Sequence, residues 1–107
     1  MNLLIEKAQV EELLRRDSAL IFKHSTSCAI SSIAHREVEK FISQNPGSQV
    51  HKVHVIEDRD LSNFIAQQTS VAHASPQMIV LRQGRVHWHS SHFGITAGRI
   101  AKNLSVD

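Results

Sequence analysis

Cysteine is nearly absent from this sequence, because Cys28 is the only one in 107 residues. Tyrosine is missing altogether, and aromatic residues make up 5% of the chain. A lone cysteine cannot form a disulfide within its own chain, which excludes a fold held together by internal disulfides. Any disulfide formed by Cys28 must therefore join this chain to another molecule.

An excess of one charge and long apolar runs are also lacking. The formal net charge is +2, and no basic patch is interleaved with aromatic residues, so we expect no binding to nucleic acid. No apolar run approaches the length of a membrane span, and residues 1–6 lack the basic region of a secretory signal. These absences predict a cytoplasmic protein that does not bind membranes, in a compartment where a free thiol stays reduced. We also expect it to be a monomer.

The sequence does contain a regular alternation of strand-like and helix-like segments, with no linker or repeat, which predicts one domain over residues 1–107. Apolar spacing predicts strands at residues 3–5, 19–23, 50–56, 78–81 and 86–89, and helices that include residues 10–14, 30–42, 61–65 and 95–104. Strands separated by helices pair in parallel through right-handed crossovers, whereas the last two strands form a hairpin. The order predicts an α/β fold, with a mixed central sheet and helices on both faces.

Cys28 lies at the junction between the second predicted strand and the helix that follows it. The positive end of a helix dipole favours the thiolate, which is the reactive form of cysteine. The polar residues Ser25, Thr26 and Ser27 precede Cys28 and favour its partial exposure. From these residues alone, a buried cysteine that acts as a small apolar side chain is an equally good interpretation.

This order of elements, with Cys28 at the second strand-to-helix junction and Pro76 just before the hairpin, resembles the thioredoxin fold. The stretch Cys28-Ala29-Ile30-Ser31 resembles a one-cysteine version of the thioredoxin C-x-x-C site. Thioredoxin-like proteins carry a cis-proline that faces the thiol, and Pro76 stands at the matching place.

Blocks of sequence spread along the chain resemble the YtxJ-type monothiol bacilliredoxins. Residues 23–31 (KHSTSCAIS) are similar to the family signature K-H-S-T-x-C-P-I-S, and residues 73–77 (HASPQ) to its H-x-S-P-Q segment. Residues 88–96 (WHSSHFGIT) resemble its W-x-x-S-H-(W/F)-x-I-T stretch. Ala29 departs from the family, which usually has proline there. Proline is preorganised for a first helical turn and lacks an N–H, so this change bears on the redox potential.

The resemblance implies a thiol–disulfide oxidoreductase that removes bacillithiol, a bacterial low-molecular-weight thiol, from mixed disulfides on oxidised proteins. Carried onto this chain, Cys28 is the attacking catalytic cysteine, and Ser31 stands where dithiol relatives have a resolving cysteine. Regeneration of Cys28 then needs an outside thiol, either free bacillithiol or a reductase. The implied partners are bacillithiolated proteins. No bound cofactor is implied beyond bacillithiol as the exchanging thiol.

Supporting roles are predicted for Ser31, His24 and Thr26. Ser31 either faces solvent on the first helical turn or donates a hydrogen bond to the Cys28 sulfur. His24 and its neighbour Lys23 are both candidates to add positive potential near a thiolate, but strand alternation places them on opposite faces. Only one of the two can therefore approach the thiol.

Ser75 and Pro76 are predicted to bind the substrate. Most X-Pro bonds are trans, and only the resemblance to the thioredoxin fold favours cis for this one. A cis bond would let the Ser75 backbone pair with an extended peptide partner, which gives affinity without selecting a sequence.

Alternatives remain open at this point. His87, His89 and His92 could form a zinc site. No Asp or Glu lies between Arg82 and Lys102 to support the ligands, and the polar outer face of a hairpin explains His87 and His89 as well. We therefore predict no metal ligand. An iron–sulfur cluster of the kind that monothiol glutaredoxins bind has no specific support. The alternative functions are a sensor domain modified without turnover, or a monothiol glutaredoxin-like protein that uses another low-molecular-weight thiol.

Overall fold

The computed structural model describes residues 1–104, and residues 105–107 of the predicted domain lie outside the described part. The elements follow the predicted order, with a short 3₁₀ helix added at His92–Gly94. The strands are β1 (Asn2–Leu3), β2 (Ser18–His24), β3 (Val50–His54), β4 (Gln77–Arg82) and β5 (Arg85–Ser91). The α-helices are α1 (Lys7–Leu14), α2 (Ala29–Gln44), α3 (Arg59–Thr69) and α4 (Ala97–Leu104). Within the described range, no helix is both long and apolar enough to cross a membrane.

The strands form a five-stranded mixed sheet in the order β1-β3-β2-β4-β5. β1, β3 and β2 run parallel to one another, and β4 is antiparallel to both β2 and β5. The parallel strands are joined through helices, and a tight turn joins β4 to β5, as such pairings require. The predicted α/β fold is therefore confirmed.

The side chains of β2, at the centre of the sheet, alternate between two hydrophobic cores. Ile21 belongs to the core that α1 and α3 cover, whereas Phe22 belongs to the core that α2 and α4 cover. Consecutive strand residues point to opposite faces, so the alternation continues to the end of the strand. Lys23 consequently lies on the α3 side and His24 on the α2 side, which confirms the prediction that they take opposite faces.

β2, β4 and β5 each extend one or two residues beyond their predicted bounds, whereas β1 and β3 end two residues earlier than predicted. β1 ends at Leu3 rather than at residue 5, because the Ile5 and Glu6 N–H groups donate to the Gln9 side chain at the start of α1. β3 ends at His54 rather than at residue 56, because the Asp58 N–H donates to the His54 carbonyl in a turn. Asp58 then caps α3 by accepting a hydrogen bond from the Leu61 N–H.

The two glycines Gly84 and Gly98 should respond in opposite ways to alanine. Gly84, in the β4–β5 turn, has φ +76°, and an added Cβ would lie 2.6 Å from the Leu14 carbonyl oxygen at the end of α1. Gly84→Ala should therefore lower the free energy of unfolding by about 1–3 kcal/mol. Gly98 lies within α4 with open space around it, so Gly98→Ala should raise that free energy by about 0.5–1 kcal/mol. Urea denaturation measures both, and equal effects would contradict the predicted packing of the turn on α1.

Candidate functional site

The predicted site residues lie together at the C-terminal end of β2. Lys23 pairs with Gln77, and Gln77 pairs with Ser91, so the ends of β2 and β5 lie beside the start of β4. The His92 N–H then donates to the Pro76 carbonyl at 3.1 Å. Because the loop between β2 and α2 leaves from the same end of the sheet, this geometry brings the cysteine loop and the proline loop to one edge.

Cys28 is the N-cap residue of α2, with an extended backbone (φ −117°, ψ 125°). Its carbonyl accepts a hydrogen bond from the Ser32 N–H at 3.1 Å, and its own N–H donates to the Ser25 carbonyl at 3.4 Å. The residue is partly exposed, which excludes the interpretation of Cys28 as a buried apolar side chain. The first N–H groups of a helix have no partner within it, so the thiol-bearing residue stands at the positive end of α2.

Ser31 takes neither of its two predicted positions. It is fully buried rather than solvent-facing. Its hydroxyl accepts a hydrogen bond from the Ser25 N–H at 2.9 Å and lies 2.8 Å from Nδ1 of His24, so these bonds replace the proposed bond to sulfur. Ser31 thus ties the first turn of α2 to the end of β2 and holds the intervening loop closed.

His24 is also buried, with 8% of its surface exposed. Burial, followed by the nearby His35, Lys52 and His54, lowers the pKa of His24 to about 4. The ring is stacked against Phe22, with centroids 5.5 Å apart. His24 is therefore neutral at pH 7, and the expectation that it adds positive charge near the thiol is wrong.

Lys23 extends into the opposite side of the sheet and is completely buried. Its ammonium donates to the Ser62 carbonyl at 3.1 Å and lies 3.2 Å from Nδ1 of His73. Burial, followed by the Arg59 charge, lowers the pKa of Lys23 to about 8. The sequence predicted only that Lys23 and His24 take opposite faces, and it gave no signal for these partners of Lys23, because they come from distant parts of the chain.

The remaining predicted residues differ in exposure, and Pro76 is buried. Thr26 is exposed at the turn between β2 and α2, and Ala29 is exposed as the first residue of α2. The Ser75–Pro76 bond is cis and immediately precedes β4. The Ser75 hydroxyl is buried and has no hydrogen-bond partner among residues 1–104.

The histidines considered as zinc ligands are spread along the hairpin edge. His87 and His89 are exposed on β5, and His92 is exposed in the 3₁₀ helix that follows. In the described part of the chain, no group of His, Cys, Asp or Glu residues is placed to hold a metal ion.

A family model described as "Monothiol bacilliredoxin BrxC" matches residues 2–100. The chain belongs to the monothiol bacilliredoxin family. This confirms the family that the sequence blocks resemble, and it places the chain among the thiol oxidoreductases.

Solved structures support the same fold. A candidate oxidoreductase with a thioredoxin fold is 28% identical, with a TM-score of 0.90 over 97% of this chain and 93% of that one. Thioredoxin from Fasciola hepatica is 19% identical, with a TM-score of 0.72 over 97% of this chain and 96% of that one. Mitochondrial thioredoxin 3 from Saccharomyces cerevisiae is 19% identical, with a TM-score of 0.74 over 97% and 92%. The thioredoxin-like fold of this bacilliredoxin is thereby confirmed.

Ser31→Ala should destabilise the protein. The substitution leaves the Ser25 N–H and Nδ1 of His24 buried without this partner, which should lower the free energy of unfolding by about 1–3 kcal/mol. Urea denaturation at neutral pH measures the change. Ser32→Ala, at the exposed neighbouring position, is the matched control and should change stability by less than about 0.5 kcal/mol. Equal stability of the two variants would contradict the structural role of the Ser31 hydroxyl.

Stability should fall as the pH is lowered from about 6.5 towards 4, partly because of His24. An unfolded histidine binds its proton near 6.5, whereas the folded pKa of His24 is about 4, so the unfolded state binds more protons between these values. The loss from this residue should be on the order of 2 kcal/mol. His24→Asn retains a side-chain amide near Nδ1 but does not titrate, so its stability should depend less on pH.

The measurement is urea denaturation of both proteins across this pH range. His51 and His73 also have a lowered pKa because of burial, so the variant should keep part of the slope. Identical slopes for the wild type and His24→Asn would show that His24 is not a buried neutral histidine.

Proposed function

We propose that this protein is a monothiol oxidoreductase that removes bacillithiol from protein mixed disulfides through Cys28. The observation that carries the proposal is a partly exposed Cys28 at the N-terminus of α2, on the sheet edge where the Pro76 loop also lies. Membership of the monothiol bacilliredoxin family supports bacillithiol as the thiol exchanged. The reaction would take place in a reducing cytoplasm, where a lone thiol stays available.

In the first step, the Cys28 thiolate attacks the bacillithiol sulfur of the mixed disulfide in line. A new disulfide forms between Cys28 and bacillithiol, the original disulfide breaks, and the client protein leaves as a thiolate that takes up a proton. The N-terminal end of α2 favours the negative charge on the attacking sulfur. The adduct is thereby transferred to Cys28, with no net change in the number of disulfides.

In the second step, an outside thiol must attack the bacillithiol sulfur and release Cys28 as a thiolate. The outside thiol and bacillithiol become a disulfide, and the outside thiol therefore supplies the electrons. Free bacillithiol or a reductase would serve. Ser31 cannot act as the second thiol, and its hydroxyl is already committed to Ser25 and His24. The protein therefore depends on this external thiol for turnover.

The client would lie as an extended peptide along Ser75 and Pro76, beside Cys28. Ser75 and Pro76 immediately precede β4 and therefore lie at the end of the sheet. Backbone pairing with these residues would bind clients without selecting their sequence. The exchange needs no bound cofactor and no metal. One copy of the chain carries every residue that this mechanism uses, in keeping with a monomer.

Cys28→Ser should abolish transfer of the adduct. A bacillithiolated client protein incubated with the wild type should lose the mass of bacillithiol while Cys28 gains it, because the adduct moves between sulfurs. Intact-protein mass spectrometry follows both masses. The Cys28→Ser variant should do neither, and Ser27→Ala, at the exposed neighbouring position, should transfer at close to the wild-type rate.

The same assay separates the alternatives. Equal loss of the adduct with wild type and Cys28→Ser would refute the enzyme. Modification of Cys28 without release by added bacillithiol or reductant would indicate a sensor domain instead. Faster transfer from a glutathionylated client than from a bacillithiolated one would assign the exchange to another low-molecular-weight thiol.

A further inference from the structure

Lys23 is completely buried on the α3 side of β2, yet no ion pair joins it to a carboxylate anywhere in residues 1–104. A buried cation without an opposite charge reduces stability, and an apolar side chain of similar volume is often better tolerated. The lysine is therefore hard to explain by stability alone. Its contacts indicate a different purpose.

The Lys23 ammonium fixes the state of His73. An ammonium group can only donate hydrogen bonds. The contact of 3.2 Å from the Lys23 ammonium to Nδ1 of His73 therefore requires Nδ1 to be the acceptor. The Ser62 hydroxyl lies 3.2 Å from the same nitrogen. Burial, the Lys23 charge and the Arg59 charge lower the pKa of His73, so its ring is neutral and carries its hydrogen on Nε2. Nε2 points away from this contact, on a residue that is exposed.

The held histidine belongs to the segment that leads into the cis-proline. Lys23 and Gln77 are partners in the β2–β4 ladder. Lys23 binds His73, and the Gln77 amide donates to the Ala72 carbonyl at 3.0 Å. Lys23 and Gln77 are partners on neighbouring strands. Together they therefore anchor two consecutive residues, His73 and Ala72, of the segment that leads to Pro76.

We propose that Lys23 is a positioning residue that holds His73 with its Nε2–H available to an oxygen acceptor of the incoming disulfide. The acceptor is a carbonyl or carboxylate oxygen of the molecule that lies along residues 72–76. His73 then contacts the substrate, and Lys23 acts only through His73. This inference rests on the proposed exchange at Cys28, and it names a contact that binds the substrate rather than one that performs the chemistry.

The kinetic test compares Lys23→Met, His73→Ala and the double variant in transfer from a bacillithiolated client. Each single variant should lower kcat/KM by about threefold to tenfold, which corresponds to the loss of one hydrogen bond. KM should rise while kcat stays unchanged, because the contact binds the substrate. The double variant should lose no more than His73→Ala alone, because Lys23 acts through His73. Lys40→Met, at an exposed position of α2, is the matched control and should behave as the wild type.

Stability measurements separate this role from a structural one. Lys23→Met should be at least as stable as the wild type in urea denaturation, because it removes an unpaired buried charge. A bacillithiol disulfide without protein, used as a second substrate, identifies the source of the acceptor. If its KM also rises in Lys23→Met, the acceptor belongs to bacillithiol, and if it does not, the acceptor belongs to the client.

Nitrogen NMR of the His73 ring gives a readout that needs no activity. The wild type should show the hydrogen on Nε2, and Lys23→Met should shift towards a mixture of both tautomers. A hydrogen on Nδ1 in the wild type, or an unchanged KM in Lys23→Met with an active wild type, would overturn the inference. Absence of transfer by the wild type itself would instead refute the proposed function, and the two failures are thereby distinguishable.

Discussion

The opposite directions of Lys23 and His24 at the end of β2 are the constraint on which the rest of the site depends. A strand cannot send consecutive side chains to the same face, so one residue reaches the α2 side and the other the α3 side. His24 binds Ser31 at the start of α2, and Lys23 binds His73 in the segment before Pro76. The two loops that border Cys28 are therefore both anchored to the last two residues of one central strand.

Burial decides the charges around this thiol. His24 and His73 both have a lowered pKa, with burial as the leading cause in each case, so neither ring is a cation at pH 7. The Lys23 ammonium lies on the other face of the sheet from the helix that Cys28 caps. The backbone N–H groups at the start of α2 supply positive potential near Cys28, and this part of the fold does not titrate. The histidines contribute hydrogen bonds and shape instead of charge.

Local patterns in the sequence predicted most of the fold and part of the site. The order of elements, the position of Cys28 and the faces of Lys23 and His24 follow from periodicity, which depends only on near neighbours. The partners of Ser31 and Lys23 could not be found in this way. Helical periodicity relates Ser31 only to solvent or to Cys28 one turn away, whereas its partners His24 and Ser25 lie at the end of the preceding strand and just after it. His73 lies far along the chain from Lys23, and only the completed β2–β4 pairing brings the two together.

Ser31 accounts for two features of the site: no second thiol is present at its position, and its hydroxyl holds the loop between β2 and α2. In a dithiol relative, the position of Ser31 carries the thiol that resolves the mixed disulfide. Here the hydroxyl at that position accepts from the Ser25 N–H and pairs with His24, and a thiol is a weaker donor and acceptor for both bonds. A resolving thiol at this position would therefore loosen the loop that presents Cys28. Under the proposed function, Ser31 holds this loop through two hydrogen bonds, and an outside thiol completes the exchange that Cys28 begins.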